Sequence, residues 1–191
     1  MSVFLESERV YLRPHEPDDA DKMYTWFNNV KITRLTGEVY PLSREEAKER
    51  IEAWTKDKNS LSLSVVTKAD DKLIGTAGLI NIDTVHRRAE LAIIIGEEAY
   101  WSRGYGTETI KALLNYGFNR LNLNMVYLGV IDINERAIKA YKKVGFVQDG
   151  VIREKYLIDG KYCNCIMMSI LEREFKKKLP DKTAAVNTAV K

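Results

Sequence analysis

The sequence predicts a mixed β-sheet with helices on its faces, a single domain of α/β or α+β class. Three observations point there. Residues 60–96 hold three extended runs joined by connections too short for crossovers, the mark of an antiparallel meander. Residues 110–146 then alternate helical stripes with a strand. The length of 191 residues suits one domain. Together they give the order β-α-α-β-β-β-α-β-α-β-β.

Each element has its own signal. Arg9 to Arg13 alternates around Val10 and Leu12 and is closed by Pro14, a first strand. Ala20, Met23, Tyr24 and Phe27 recur at helical spacing, with Asp18 and Asp19 at the start, where the helix dipole favours carboxylates. Ser43-Arg44-Glu45-Glu46 is a capping box opening a second helix with the face Ala47, Ile51 and Trp54. Leu61, Leu63 and Val65 alternate with serines, Asp70-Asp71 turns the chain, and Lys72 to Ile82 extends again. Arg88 to Gly96 is the next strand, ending in Ile93-Ile94-Ile95. Ile110, Leu113, Leu114, Gly117, Phe118 and Leu121 mark a long helix, and Met125 to Ile131 a strand. Ala137, Ala140, Tyr141 and Val144 mark a further helix stopped by Gly145. Asp159-Gly160 is a hairpin turn between Val151–Ile158 and Lys161–Leu171. We expect a domain over 1–175 and a Lys-rich, disordered tail over 176–191.

Composition narrows the function classes. Apolar residues make up 45% and charged residues 30%, enough for a core without staples. The longest apolar run, Leu91 to Ile95, is far short of the ~18 residues of a membrane span. Glu6 and Glu8 stand where a secretory signal would be apolar. Cys163 and Cys165 lie roughly 6.5 Å apart on one extended backbone, which disfavours a disulfide and points to a reducing, cytoplasmic setting. Two histidines and no second cysteine pair give no basis for a metal site. The net charge of +3 belongs to the tail, since residues 176–191 carry +4 and residues 1–175 carry −1. No nucleic-acid recognition motif accompanies Lys176–Lys178, so no nucleic-acid partner is expected.

Two constellations carry chemistry. Arg103-Gly104-Tyr105-Gly106-Thr107-Glu108 stands between a buried strand and the long helix. Its glycines allow a tight turn and close approach of backbone to ligand, and the helix N-terminus offers unpaired N–H groups to a phosphate. The same glycines could serve only to turn the chain. Asn134 suits the N-cap of the helix holding Tyr141. Tyr141 follows seven residues on, within ~20° of the same face and ~10.5 Å along the axis, so one extended ligand could meet both. Cap and core aromatic are the plainer roles for this pair.

Taken together these segments resemble the GNAT superfamily of N-acetyltransferases. The resemblance is densest over Ala89–Gly96, the Gly104/Gly106 loop and the stretch Asn134-Glu135-Arg136-Ala137-Ile138-Lys139-Ala140-Tyr141-Lys142-Lys143-Val144-Gly145-Phe146. That stretch is similar to the family's Asn-x-x-Ala-x-x-x-Tyr-x-x-x-Gly-Phe signature. His86-Arg87-Arg88-Ala89-Glu90 and the Asp159-Gly160 hairpin look like the branch of ribosomal-protein N-terminal and bacterial spermidine/spermine acetyltransferases.

The resemblance implies acetyl transfer from acetyl-CoA to an amine, with no metal. An amine of pKa near ~10.4 must lose a proton to attack, and the leaving thiolate is helped by a proton donor. By resemblance Tyr141 is that donor and Asn134 contacts the pantetheine arm or orders the site. The backbone of Ile93, Ile94 and Ile95 would pair with the pantetheine amides like an added strand and polarise the thioester carbonyl. The loop Trp101, Ser102, Arg103, Gly104, Tyr105, Gly106 and Thr107 would cradle the pyrophosphate. Trp101 takes the place where the family usually has Gln or Arg, and a main-chain cradle does not need that side chain. Glu90, on the strand just before Ile93–Ile95, is the candidate base, and a salt bridge to Arg87 or Arg88 is its other reading.

The acceptor is less legible. Residues 16–52 hold nine acidic and six basic side chains. In the resembled family this region lines the acceptor side, and net acidity there suits a polyamine or a protein N-terminal amine. A purely solvated surface is the commoner meaning of such charge. The other function kept open is a non-catalytic acyl-CoA or nucleotide sensor. Exposed strands near the C-terminal hairpin are compatible with a homodimer.

Overall fold

The computed structural model describes residues 3–178. Eight strands form one sheet: β1 (Leu5–Glu6), β2 (Val10–Arg13), β3 (Leu61–Thr67), β4 (Leu73–Asp83), β5 (Arg88–Ile95), β6 (Met125–Ile131), β7 (Val147–Ile158) and β8 (Lys161–Leu171). Their spatial order is β1-β2-β3-β4-β5-β6-β8-β7. The helices are α1 (Asp19–Phe27), α2 (Val30–Thr36), α3 (Arg44–Lys56), α4 (Tyr105–Asn119), α5 (Glu135–Val144) and α6 (Glu172–Lys178), with a 3-10 turn at Glu98–Tyr100.

The predicted meander is the antiparallel ladder β2-β3-β4-β5. The sheet becomes mixed at β5 and β6, which pair in parallel. The α4 crossover between them supplies the length that a parallel connection needs. The hairpin turn at Asp159-Gly160 has φ 50° and 75°, the two positive angles of a primed turn.

Alternation along the strands divides the core in two. Leu63, Val65, Leu79 and Leu91 pack with Ile110, Leu113, Phe118 and Tyr141 of α4 and α5. On the opposite face, α1–α3 build a smaller cluster from Met23, Trp26, Phe27, Ile32 and Ile51, with Ile94 of β5 against it. Ile93 and Ile95 face one layer and Ile94 the other, as a period of two demands.

The expected order of elements holds, with three additions. β1 is two residues long, too short for any periodicity. α2 has seven residues; Asn29 caps it and Gly37 stops it at φ 77°. α6 carries the ordered chain through Lys178, three residues beyond the expected boundary at 175, with Lys176–Lys178 as its last turn. The remainder of the expected tail, 179–191, lies outside the described residues. The capping box is present as predicted: Ser43 Oγ accepts from Glu46 N–H, and the Glu46 carboxylate accepts from Ser43 N–H at 2.7 Å. Asp19 does more than meet a helix dipole. It is buried and takes two bonds of 2.8 Å from the Arg13 guanidinium.

Candidate active site

The parallel pairing of β5 with β6 spans only three positions, Arg88↔Met125, Ala89↔Val126 and Glu90↔Tyr127. Beyond it β5 stays paired with β4 through Ile95, while β6 runs on against β8 to Ile131. The β6 side of Leu91–Ile95 therefore has no strand partner. A cavity of about 620 Å³ opens along this edge. Its walls include Ile93–Ile95, the loop residues Trp101, Ser102, Gly104, Gly106 and Thr107, the α5 cap Asn134 with Arg136, Lys139, Tyr141 and Lys143 of α5, and Leu35 and Thr36 of α2.

Local structure explains the loop. Gly104 is the N-cap of α4 at φ 89°, a left-handed angle that glycine adopts without strain. It has no capping side chain, so the first-turn N–H groups lack a side-chain acceptor and remain available to an anion. Glu108, in that first turn, is bonded by the Ser7 hydroxyl at 2.9 Å and by Arg9. Burial alone would raise the pKa of Glu108, but these bonds hold it below the usual range. The carboxylate thus ties the helix N-terminus to the β1–β2 corner.

Tyr141 is 8% exposed and packs on Phe146 with ring centroids 5.7 Å apart. Burial pushes its pKa up to about 12, so its hydroxyl keeps its proton at neutral pH. Asn134 caps α5, accepting from Ala137 N–H at 3.2 Å, and its amide reaches the Leu35 carbonyl at 3.4 Å. It therefore fastens α2 to α5 while lining the cavity.

Other expected site residues sit differently. Arg103 is exposed, and neither it nor Tyr105 lines the cavity. Tyr105 instead packs edge-on to Tyr100 beneath Arg9. The Trp101 indole N–H donates to the Ile95 carbonyl at 2.6 Å, and the Arg136 guanidinium lies 3.7 Å from the centroid of its ring. The place of a family Gln or Arg is thus taken by an aromatic that holds an arginine at the cavity wall. Arg136, Lys139 and Lys143 were not singled out from the sequence. Their spacing of three and four residues on one helix face was the available signal.

A second cavity of about 410 Å³ lies on the opposite face of the sheet and shares Thr36, Ile93 and Ile94 with the first. Its floor is a row of small residues in register, Ser62↔Gly78↔Ala92. Phe27 and Trp54 stand over it, with Glu38 and Arg50 joined by an ion pair at its wall. Glu90 lines neither cavity. It pairs across the strands with Ile80, which does line the second, so it flanks that cavity on the same face. The alternative salt bridge does not form: Arg87 bonds Asn122, Arg88 faces Asp83, and Glu90 accepts from the Asn81 amide at 3.1 Å.

Among the described residues no group of three His, Cys, Asp or Glu side chains could hold a metal ion. No described helix is long and apolar enough to cross a membrane. Cys163 and Cys165 are free and buried.

Known proteins share this fold. The family description "Acetyltransferase (GNAT) domain" matches residues 9–147. Spermidine N(1)-acetyltransferase of Escherichia coli strain K12 is 34% identical over 182 residues, covering 94% of this chain and 96% of that protein. The Vibrio cholerae protein of the same name is 32% identical over 169 residues, covering 88% and 96%. The crystal structure of spermidine N-acetyltransferase from Vibrio cholerae with CoA and spermine superposes with a TM-score of 0.81 at 31% identity, covering 87% of this chain and 98% of that one.

Proposed function

The chain belongs to the GNAT acetyltransferases and is an acetyl-CoA-dependent N-acetyltransferase, and from that premise we propose that its acceptor is a polyamine, acetylated by direct attack with Tyr141 as general acid. The observation that carries this reading is the parting of β5 and β6 beyond Glu90 and Tyr127. It leaves an open strand edge leading to a helix N-terminus at one end and to a protonated phenol at the other.

The residues present fit acetyl-CoA. The uncapped first turn of α4 and the cationic Arg136, Lys139 and Lys143 suit its phosphates. The free edge of Ile93–Ile95 suits the amides of its pantetheine arm, with Asn134 beside it. When bound, acetyl-CoA supplies the activated acetyl thioester. Tyr141 holds a proton for the departing sulfur, and backbone N–H groups of β5 stabilise charge on the acyl oxygen. Glu90, the one acidic side chain of β5, takes the amine proton through solvent from its place beside the second cavity.

The second cavity is the acceptor site in this reading. It meets the first at Thr36, Ile93 and Ile94, and the net-acidic segment 16–52 contributes Phe27, Thr36 and the paired Glu38 and Arg50 to its wall. The similarity to proteins named for spermidine favours a polyamine over a protein N-terminus. A homodimer through the exposed edge of β7 and a reducing, cytoplasmic setting for the free thiols complete the proposal. Thiol release from acetyl-CoA, measured with spermidine, spermine and peptides bearing free N-termini, tests it. Turnover fastest with the polyamines is expected; turnover with the peptides alone overturns the acceptor assignment, and CoA binding without any turnover leaves a sensor.

A further inference from the structure

A hydrogen-bonded chain of buried side chains ends in the second cavity. The Arg13 guanidinium donates to both oxygens of Asp19 at 2.8 Å. The Ser64 hydroxyl donates to Asp19 Oδ2 at 2.6 Å, and Ser64 Oγ lies 2.7 Å from His15 Nδ1. His15 Nε2 lies 2.9 Å from Ser62 Oγ, and Ser62 forms part of the cavity floor. Arg13, Asp19, Ser64 and His15 are all buried, and none takes part in the mechanism above.

The direction of every bond follows from its first member. An ionised carboxylate only accepts, and the salt bridge to Arg13 keeps Asp19 ionised. Ser64 has therefore committed its one hydrogen to Asp19 and can only accept from His15. The Nδ1 atom of His15 must then carry the ring proton, which leaves Nε2 bare in the neutral imidazole. Bare Nε2 can only accept, so Ser62 commits its hydrogen to His15. What Ser62 turns to the cavity is a pair of lone pairs and no donor.

We propose that Ser62 is an amine-binding residue that accepts a hydrogen bond from the acceptor's nitrogen, and that His15 is the positioning residue that keeps Ser62 from presenting its own hydrogen. This rests on reading the second cavity as the acceptor site. It adds a specificity element: a hydroxyl with a fixed hydrogen favours donor-rich amines and ammonium groups over ligands that only accept. Ser62 also lies in register with Gly78 and Ala92, and all three line the cavity. A His15 buried to 9% exposure with its pKa pushed down to about 4 stays neutral at physiological pH, so the polarity of the chain does not change there.

The test combines kinetics with a spectroscopic signature in the full chain. Ser62→Ala should raise the KM for spermidine about tenfold or more, the scale of one lost bond to a charged group, and leave the KM for acetyl-CoA unchanged. Ser62→Thr, which keeps the hydroxyl, should restore it. His15→Phe should mimic Ser62→Ala. Nitrogen-15 NMR of the imidazole in the wild-type protein should show the Nδ1–H tautomer, a readout independent of activity and of variants that fail to fold. An active wild type with unchanged spermidine KM in Ser62→Ala, or an Nε2–H tautomer, overturns the proposal alone. A wild type that releases no thiol with any of the amines overturns the acceptor reading beneath it.

Discussion

Glu90 and Tyr127 form the last pair between β5 and β6, and past them the two strands share no register. An interior strand becomes an edge strand within its own length. Exposed edges invite any extended polar chain to pair with them. Here the edge lines one cavity with Tyr141.

Tyr141→Phe keeps the ring packing against Phe146 and removes the proton donor. Turnover should fall about a hundredfold or more, with CoA affinity unchanged by calorimetry. Because the hydroxyl titrates only near 12, the wild-type rate should show no loss from this group up to pH 10. An unchanged rate removes Tyr141 from the chemistry.

Gly104→Ala places a side chain at φ 89°, where a Cβ would lie 2.9 Å from the Arg9 guanidinium. The left-handed angle costs about 1–2 kcal/mol. CoA affinity should fall together with stability, since the strain falls on the N-cap of α4 and the Arg9 side chain has to move. Denaturant titration and calorimetry on one preparation check both, and wild-type values in either contradict the cradle described above.

Asp19→Asn removes the buried counter-charge of the Arg13 guanidinium and leaves only the more exposed Glu16 carboxylate, 4.0 Å away. Loss of one member of a buried pair typically costs about 3–5 kcal/mol. The carboxyl sits below its usual pKa; burial opposes this, and the bonds from Arg13, Ser64 and Glu16 N–H outweigh it. Its contribution is therefore present at neutral pH and lost in acid. Urea midpoints of the two proteins should differ strongly at pH 7 and converge as pH falls through the native carboxyl's titration.

His15 gives a separate acid dependence. The unfolded chain binds a proton there below about 6.5, whereas burial delays this in the native protein to about 4. The native state should lose up to about 3 kcal/mol as pH falls across that window. His15→Gln should flatten the fall in melting temperature between those values. Parallel curves for the two proteins would show that His15 is not the titrating group.

β7 lies at the sheet edge and exposes Val147, Val151, Ile152 and Leu157. Light scattering should report a dimer, and Val151→Lys with Ile152→Lys should give a monomer with the same melting profile. A monomeric wild type would discard this contact.

Most of the fold was legible because periodicity is local. β6 lies at Met125–Ile131, as its apolar run indicates, and the Ser43 box caps α3. α2 escaped because seven residues hold barely two turns, and it is held by distant partners: Lys31 to Glu98, Arg34 to Asp159, and Leu35 O to Asn134. The first cavity was legible because its parts, the glycine loop and the Asn134–Tyr141 helix, are each contiguous. The second was not. Ser62, Gly78 and Ala92 are ordinary strand residues until the register of three strands sets them side by side. The placement of Glu90 beside that floor rather than in it has the same origin.

The two cavities open on opposite faces of one sheet and touch only at Thr36, Ile93 and Ile94. Two guests can thus enter from separate faces and meet only where the two cavities share Thr36, Ile93 and Ile94. Neither has to leave before the other arrives, so initial-rate lines for donor and acceptor should intersect instead of running parallel. Traffic through one door should also remain possible while the other is blocked, and a molecule long enough to pass through both would occupy them at once.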